Sequence, residues 1–202
     1  MTYEKFWQGL WKNRETPWDQ GGTHPLMQEL LQLSNQYKPI ITGASVWEPG
    51  CGSGHNGRWL AGQGFKVRSV DYVPEAIESA LRLGKVENHD IQCQNIFDVK
   101  SHEVGFFDYI FDRALLCALE PNLRDKYVGD CVRRLRTGGF FWGILFDEVS
   151  AEKGPPFGLK YEEVIALFEG DFQLVAAETH PMPKRRVETI VSETLWIWQK
   201  CK

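Results

Sequence analysis

The sequence predicts an α/β fold: a mostly parallel sheet between helices, ending in an antiparallel C-terminal hairpin and preceded by an N-terminal helical cap. Three observations predict it. Short apolar runs exchange regularly with amphipathic stretches, the return path that parallel neighbours need. A glycine-rich turn, Val46-Trp47-Glu48-Pro49-Gly50-Cys51-Gly52-Ser53-Gly54, joins the first apolar run to the first helical pattern. The last two apolar runs have no helix between them, so they pair as a hairpin.

In chain order, Phe6, Trp7, Leu10 and Trp11 recur at helical spacing, residues 16–22 break that pattern, and a second helix runs through Leu26, Leu30, Leu31 and Leu33. These residues form a cap, 1–42, on an α/β core, 43–202, within a single domain spanning 1–202. Phe6, Leu10 and Trp11 are expected to cover a sheet edge. Trp18 stands in a turn among Pro and Gly, where an indole has few core neighbours, and is expected to face a ligand. Strands are expected over 45–48, 66–71, 91–95, 107–112 and 140–146, with helices over 74–83 and 123–135. A helix over 161–168 precedes the hairpin strands 172–177 and 188–198. No repeat or low-complexity tract interrupts this order.

A chain of 202 residues with 43% hydrophobic content buries one sizeable core. A net charge of -4 with scattered Lys and Arg argues against a nucleic-acid partner, although Lys184, Arg185 and Arg186 form a local basic knot. The residues after Met1 lack a basic-then-apolar leader, and no apolar run reaches membrane-spanning length, so a cytoplasmic protein without a membrane partner is expected. Five cysteines, none in a C-x-x-C pair, predict reduced thiols and no metal site.

The glycine turn follows a strand and precedes a helix, where absent side chains let a ligand approach backbone amides and the helix N-terminus. Two cofactors compete for it. Gly52-Ser53-Gly54-His55-Asn56-Gly57 satisfies G-x-G-x-x-G, and Asp71 ends the next strand where a carboxylate holds the ribose of NAD. Glu48-x-Gly50-x-Gly52-x-Gly54 also satisfies the acidic, thrice-glycine turn of S-adenosylmethionine enzymes. Glu48 decides between them: it suits a ligand carrying an ammonium but repels a pyrophosphate by on the order of a few kcal/mol in a partly buried cleft.

Four stretches then make the chain resemble a family. Trp7 with Thr16-Pro17-Trp18-Asp19-Gln20-Gly21, Pro49-Gly50-Cys51-Gly52-Ser53-Gly54, Phe111-Asp112-Arg113 running through Ala118-Leu119-Glu120-Pro121, and Gly154-Pro155-Pro156-Phe157 together look like the thiopurine S-methyltransferase family. Within it the chain is similar to the plant-type halide and thiol methyltransferases. The resemblance implies a Rossmann-like class I methyltransferase with seven strands, S-adenosylmethionine as cofactor, and a small thiol, thiopurine or other chalcogen as methyl acceptor.

That resemblance also implies roles. Gly50, Gly52 and Gly54 with Glu48 would border the methionine part of the cofactor, and Asp71 would hold its ribose. Tyr72 would flank the adenine, Asn95 and Ile96 would meet its amine and face, and Phe97 would either join them or belong to the core. Asp112 falls with this cofactor set. Trp18, and Trp7 with it, would cover the sulfonium, since an aromatic face favours a cation by about 0.5 to 2 kcal/mol. Arg113 would hold an anionic acceptor or stabilise its thiolate, or else pair with Asp112 or Glu120. Phe157 would supply an apolar wall of the acceptor pocket, with the 154–158 loop.

Cys117, between Leu116 and Ala118, reads as a small core residue, and His24, before Pro25, could take a proton from a neutral thiol, although a helix-start histidine near the surface is the commoner reading. Residues 180–186 either close the cleft or form a solvated turn. The plant halide and thiol enzymes often carry another residue in place of Arg113, which weighs against halide use. Halide or thiocyanate transfer, an NAD-dependent reductase and a non-catalytic S-adenosylmethionine-binding protein stand as the alternatives.

Overall fold

The computed structural model describes residues 3–147, 154–181 and 192–201. Seven strands form one sheet: β1 (Ser45–Pro49), β2 (Lys66–Asp71), β3 (His89–Cys93), β4 (Phe107–Arg113), β5 (Leu135–Phe146), β6 (Phe172–Pro181) and β7 (Ser192–Lys200), in the order β3-β2-β1-β4-β5-β7-β6. Strands β1 to β5 pair in parallel, whereas β7 runs antiparallel to both β5 and β6. The helices are α1 (Tyr3–Asn13), α2 (Met27–Tyr37), α3 (His55–Gly62), α4 (Pro74–Arg82), α5 (Arg124–Arg134) and α6 (Tyr161–Phe168). This is the mostly parallel α/β sheet the alternation predicts, in the Rossmann-like form the resemblance implies. None of the described helices is long and apolar enough to cross a membrane.

Alternation along the strands separates two core layers. Val46, Val67, Phe111, Trp142 and Ile144 face α2 and α3 through Met27, Leu30, Leu33, Leu60 and Ala61. Trp47, Val70, Ile110, Phe141, Trp196 and Trp198 face α5 and α6 through Tyr127, Val128, Val164 and Phe168. The second helix of the predicted cap is therefore a layer of the core. Trp142 Nε1 donates to Ser34 Oγ at 3.0 Å, which fixes α2 to the sheet.

Some boundaries move for local reasons. Strand β3 begins two residues before the expected 91–95, because Val67 pairs with His89, and stops before Asn95, whose Oδ1 accepts the Phe97 N–H at 3.0 Å in a tight turn. Strand β5 starts at Leu135 rather than at 140: Gly138 and Gly139 sit at a register shift inside it instead of ending it. A Cβ at Gly139 would lie 2.9 Å from the carbonyl oxygens of Arg136 and Asp108, so the bulge requires glycine. Strand β6 reaches Pro181, while expected strand residues 188–191 and most of the 180–186 loop lie outside the described residues.

Strand order reverses direction of travel between β2-β1 and β4-β5. In open α/β sheets the crevice at such a switch, beyond the carboxyl ends of the strands, is where ligands bind.

Candidate functional site

A cleft of about 510 Å³ opens over these carboxyl ends. Its floor is the glycine turn. Gly50, Gly52 and Gly54 have φ of 62°, 54° and 67°, a left-handed backbone that residues with side chains rarely adopt. Crowding adds to the requirement at Gly50, where a Cβ would lie 2.8 Å from Leu115 Cδ1. Gly54 is the N-cap of α3, so the turn ends on the positive end of a helix.

Two carboxylates brace the turn, and each is held by the protein's own donors. Asp71 Oδ2 accepts the Gly52 N–H at 3.1 Å and Oδ1 accepts the Val73 N–H at 3.0 Å; burial raises its pKa. Glu48 Oε1 accepts the Gly57 N–H at 3.0 Å and Oε2 accepts the Ser69 hydroxyl at 2.5 Å, with His89 Nε2 2.8 Å from the same hydroxyl. Burial, ahead of these opposing hydrogen bonds, pushes the Glu48 carboxyl up to about 7. A Cβ on Gly57 would press into Glu48 Oε2, Ser69 Oγ and His89 Nε2. The last glycine of the G-x-G-x-x-G match thus makes room for buried Glu48 and Ser69 and half-buried His89, a reason independent of any pyrophosphate.

The roof is aromatic. Trp18 packs edge-on against Trp7 with centroids 5.1 Å apart and against Trp11 at 6.3 Å. Phe6, Leu10 and Trp11, expected over a sheet edge, line the cleft instead. Residues 6–24 of the predicted cap reach it, whereas α2 does not. Asp19 ties the roof to the floor: Oδ2 accepts the Ser53 hydroxyl at 2.5 Å and Oδ1 accepts the Gly21 N–H at 2.8 Å. The sequence named Asp19 only as part of a motif, and its role appears only when the turn folds onto residue 53.

At the far end, Arg113 leaves β4 and its Nη1 donates to the Trp18 carbonyl at 2.8 Å, with the guanidinium 5.7 Å over the Phe146 ring. It forms no ion pair among the described residues. Neither Asp112 nor Glu120 holds it. Burial lowers its pKa. Asp112 does not line the cleft; it is fully buried and accepts from Leu115 N at 2.8 Å, Leu116 N at 3.2 Å and Tyr127 Oη at 2.8 Å. Burial raises its carboxyl to about 6. Asp112 shapes the turn that aims Arg113, a turn in which Ala114 takes φ of 62°.

The structure brings Trp7, Trp18, Glu48, Gly50, Gly52, Gly54, Asp71, Tyr72, Asn95, Ile96, Phe97 and Arg113 to the lining of one cleft. Phe97 serves the core as well, with Lys126 Nζ 4.3 Å from its ring centroid. Phe157 does not line the cleft; it folds its ring over Gly154, and Pro155 and Pro156 form that wall. Cys117 is fully buried, and burial pushes its thiol up to about 12, which makes it an inert core residue. His24 is not the surface histidine of the commoner reading: it is 4% exposed, lines the cleft, and its Nε2 lies 3.2 Å from Glu193 Oε1. Spacing gave no sign of that contact, because Glu193 arrives on β7 from the other end of the chain.

Comparison with known proteins adds to this geometry. The family model described as thiopurine S-methyltransferase matches residues 2–200. The chain is 25% identical to a thiopurine S-methyltransferase of Psychrobacter cryohalolentis over 97% of its own length and 98% of that protein's. It is 28% identical to thiocyanate methyltransferase 1 of Arabidopsis thaliana, over 96% of this chain and 84% of the relative. Among solved structures, the 1,6-didemethyltoxoflavin-N1-methyltransferase of Burkholderia thailandensis, with bound 1,6-didemethyltoxoflavin and S-adenosylhomocysteine, superposes with a TM-score of 0.75 at 18% identity. That alignment covers 99% of this chain and 88% of the other, and it establishes a shared fold.

Proposed function

The chain belongs to the thiopurine S-methyltransferase family and is an S-adenosylmethionine-dependent S-methyltransferase, and on that premise we propose that its acceptor is a small thiol or related chalcogen nucleophile. One observation carries the choice of acceptor: a half-buried guanidinium, Arg113, stands without an ion-pair partner among the described residues at the end of an apolar, tryptophan-roofed cleft. Such a site attracts a soft nucleophile with anionic character and offers little to a strongly hydrated one.

The cleft fits the cofactor. Bare backbone at residues 50–54 admits a ligand to the amides at the α3 N-terminus, and Asp71 has acceptor capacity beyond its two amide bonds, for about four lone-pair sites belong to a carboxylate. In this proposal Asp71 holds ribose hydroxyls, Tyr72, Asn95, Ile96 and Phe97 enclose the adenine, and Gly50, Gly52 and Gly54 border the methionine part. Trp7, Trp11 and Trp18 favour positive charge above the turn. Glu48 acts differently from its sequence reading: with both oxygens engaged and its carboxyl raised to about 7, it shapes the start of α3 and is only partly charged near neutral pH. When bound, S-adenosylmethionine supplies a methyl group on a sulfonium.

The protein's contribution to transfer is positional. Asp112 fixes the turn that aims Arg113, Arg113 draws the acceptor sulfur toward the cleft, Pro155 and Pro156 wall it in, and the aromatic roof excludes water. Residues 3–24 serve as the cap in this scheme, in a protein that acts in the cytoplasm. Thiocyanate transfer is the second reading, favoured by the likeness to the Arabidopsis enzyme and by the same guanidinium. Transfer of labelled methyl to a panel of thiols, thiopurines, selenide, thiocyanate and iodide tests both. Turnover confined to thiocyanate or iodide would select the second reading, and no turnover anywhere would reject both. Stabilisation against heat by S-adenosylhomocysteine, and none by NADH, is the accompanying binding result expected.

A further inference from the structure

We propose that His24, oriented by Glu193, takes the proton of a neutral thiol acceptor. The inference rests on the S-methyltransferase reading above and adds a residue to it.

His24 is on the cleft wall yet nearly buried, with Nε2 3.2 Å from Glu193 Oε1 and Nδ1 accepting the Leu26 N–H at a long 3.3 Å. This bonding places the ring proton on Nε2, facing the carboxylate, and leaves the Nδ1 lone pair as the basic atom, held only by a weak bond. Asn56 Oδ1 accepts the His24 backbone N–H at 2.8 Å, so the segment carrying the ring is anchored to α3. Glu193 is the orienting group, as carboxylates are for basic histidines elsewhere.

The surroundings place this pair at the acceptor end. Glu193 pairs with Phe146 across β5 and β7, so the two side chains share a face of the sheet, and Phe146 is the ring under the Arg113 guanidinium. Glu193 is also the charge that acts most strongly on Arg113. Two polar atoms here lack hydrogen-bond partners among the described residues: Glu193 Oε2 and Arg113 Nε. A purely structural ion pair pinning residue 24 to β7 explains the His24–Glu193 contact. It does not account for a carboxylate oxygen and a guanidinium N–H left unsatisfied in the same corner beside the cleft, where a polar acceptor would satisfy them.

The step balances. The thiol S–H bond breaks and its proton passes to His24 Nδ1, which releases the Leu26 N–H as it takes the proton; the sulfur keeps the S–H electron pair and bonds to the methyl carbon, whose bond to the sulfonium sulfur breaks with its own pair going to that sulfur. Imidazolium charge is then offset by Glu193. A neutral thiol needs this proton sink, whereas thiocyanate, iodide or an ionised arenethiol carries no proton to lose.

That difference supplies the test. For His24→Gln and Glu193→Gln, kcat/KM with an alkanethiol is expected to fall by about 100-fold or more, the usual scale of general-base catalysis, with little change for thiocyanate or a nitro-substituted arenethiol. Calorimetric affinity for S-adenosylhomocysteine should stay at the wild-type value. A chromophoric arenethiol studied below its own pKa should show its thiolate band when bound to wild-type protein and not when bound to either variant. Equal loss for protic and proton-free acceptors would overturn the role while leaving the S-methyltransferase reading intact. A wild-type protein that binds S-adenosylhomocysteine but turns over no thiol would overturn the role together with the choice of a thiol as acceptor. Should Glu193→Gln not fold, added imidazole decides with His24→Gly: recovery of alkanethiol turnover supports the role and absence of recovery refutes it.

Discussion

Gly57→Ala isolates the reason for the fourth glycine of the turn. In α3 the change removes a helix-weakening glycine and by propensity alone should stabilise by about 1 kcal/mol. The new methyl, however, enters the space of Glu48 Oε2 and Ser69 Oγ and stands 2.9 Å from His89 Nε2. Overpacking a rigid interior costs about 1–3 kcal/mol, and separating Ser69 from Glu48 leaves a buried acceptor short of a donor for about 1–3 kcal/mol more. The net is a loss of roughly 1–5 kcal/mol, or a fall in Tm on the order of 10 °C at about 2–4 °C per kcal/mol for a chain of this size. Gly62→Ala is the internal control: it lies in the same helix with nothing within 4 Å of its Cβ, and its Tm should hold or rise. Differential scanning calorimetry of both variants reads the contrast. A Gly57→Ala protein as stable as wild type but unable to bind its cofactor would refute the reasoning, for the glycine would then serve a ligand rather than the Glu48, Ser69 and His89 side chains.

The other predictions concern charge. Asp71→Ala should weaken S-adenosylhomocysteine binding by about 10- to 100-fold, the scale of a lost charged hydrogen bond, as measured by calorimetry; unchanged affinity would remove the ribose role. Arg113→Ala should reduce turnover with a thiol and leave cofactor affinity near wild type, since its contacts are the Trp18 carbonyl and the Phe146 ring rather than the glycine turn; parallel losses in both would contradict the division of labour. Glu48, raised from 4.5 to about 7, holds its proton more tightly in the native than in the unfolded chain, so its contribution to stability is present below pH 4.5 and lost as pH rises toward 7. Glu48→Gln should therefore gain on wild type by roughly 3 kcal/mol between urea unfolding at pH 4.5 and at pH 7.5, and a gap that narrows with pH would be the wrong sign. His89, lowered from 6.5 to about 4 chiefly by burial, pulls the other way: its contribution is lost as pH falls through that window, so the wild-type curve is flatter than either group alone would make it.

Local pattern carried much of the fold into view. Alternation of apolar runs with helical stretches located β1, β2, β4 and α6, because burial on both faces of a parallel strand leaves a compact hydrophobic signal. It misplaced β3 and the start of β5, where pairing partners rather than composition set the ends: His89 belongs to β3 because Val67 stands beside it, and Gly139 remains in β5 because the Asp108 carbonyl comes too close for a side chain. The glycine-turn side of the cleft was also legible, since its lining residues fall within a few positions of β1, β2 and β3 and the turn must be glycine to be built at all.

The sequence by itself determined the sheet's parallel character and the glycine floor, each written in short-range spacing that backbone geometry reads directly. The aromatic roof took the fold to assemble, since Phe6, Leu10 and Trp11 read as cover for a sheet edge. Only the tertiary structure decided how charges divide their work. Asp112 turns inward to hold a turn while its neighbour Arg113 faces the cleft, Glu48 closes on Ser69 and Gly57, and His24 meets a glutamate 169 positions away that the antiparallel β7 delivers to its side. The physical reason is range: helix and strand periodicity depend on neighbours in the chain, but a carboxylate's role depends on which donors and how much water surround it, and both are set by segments that meet only in the folded state.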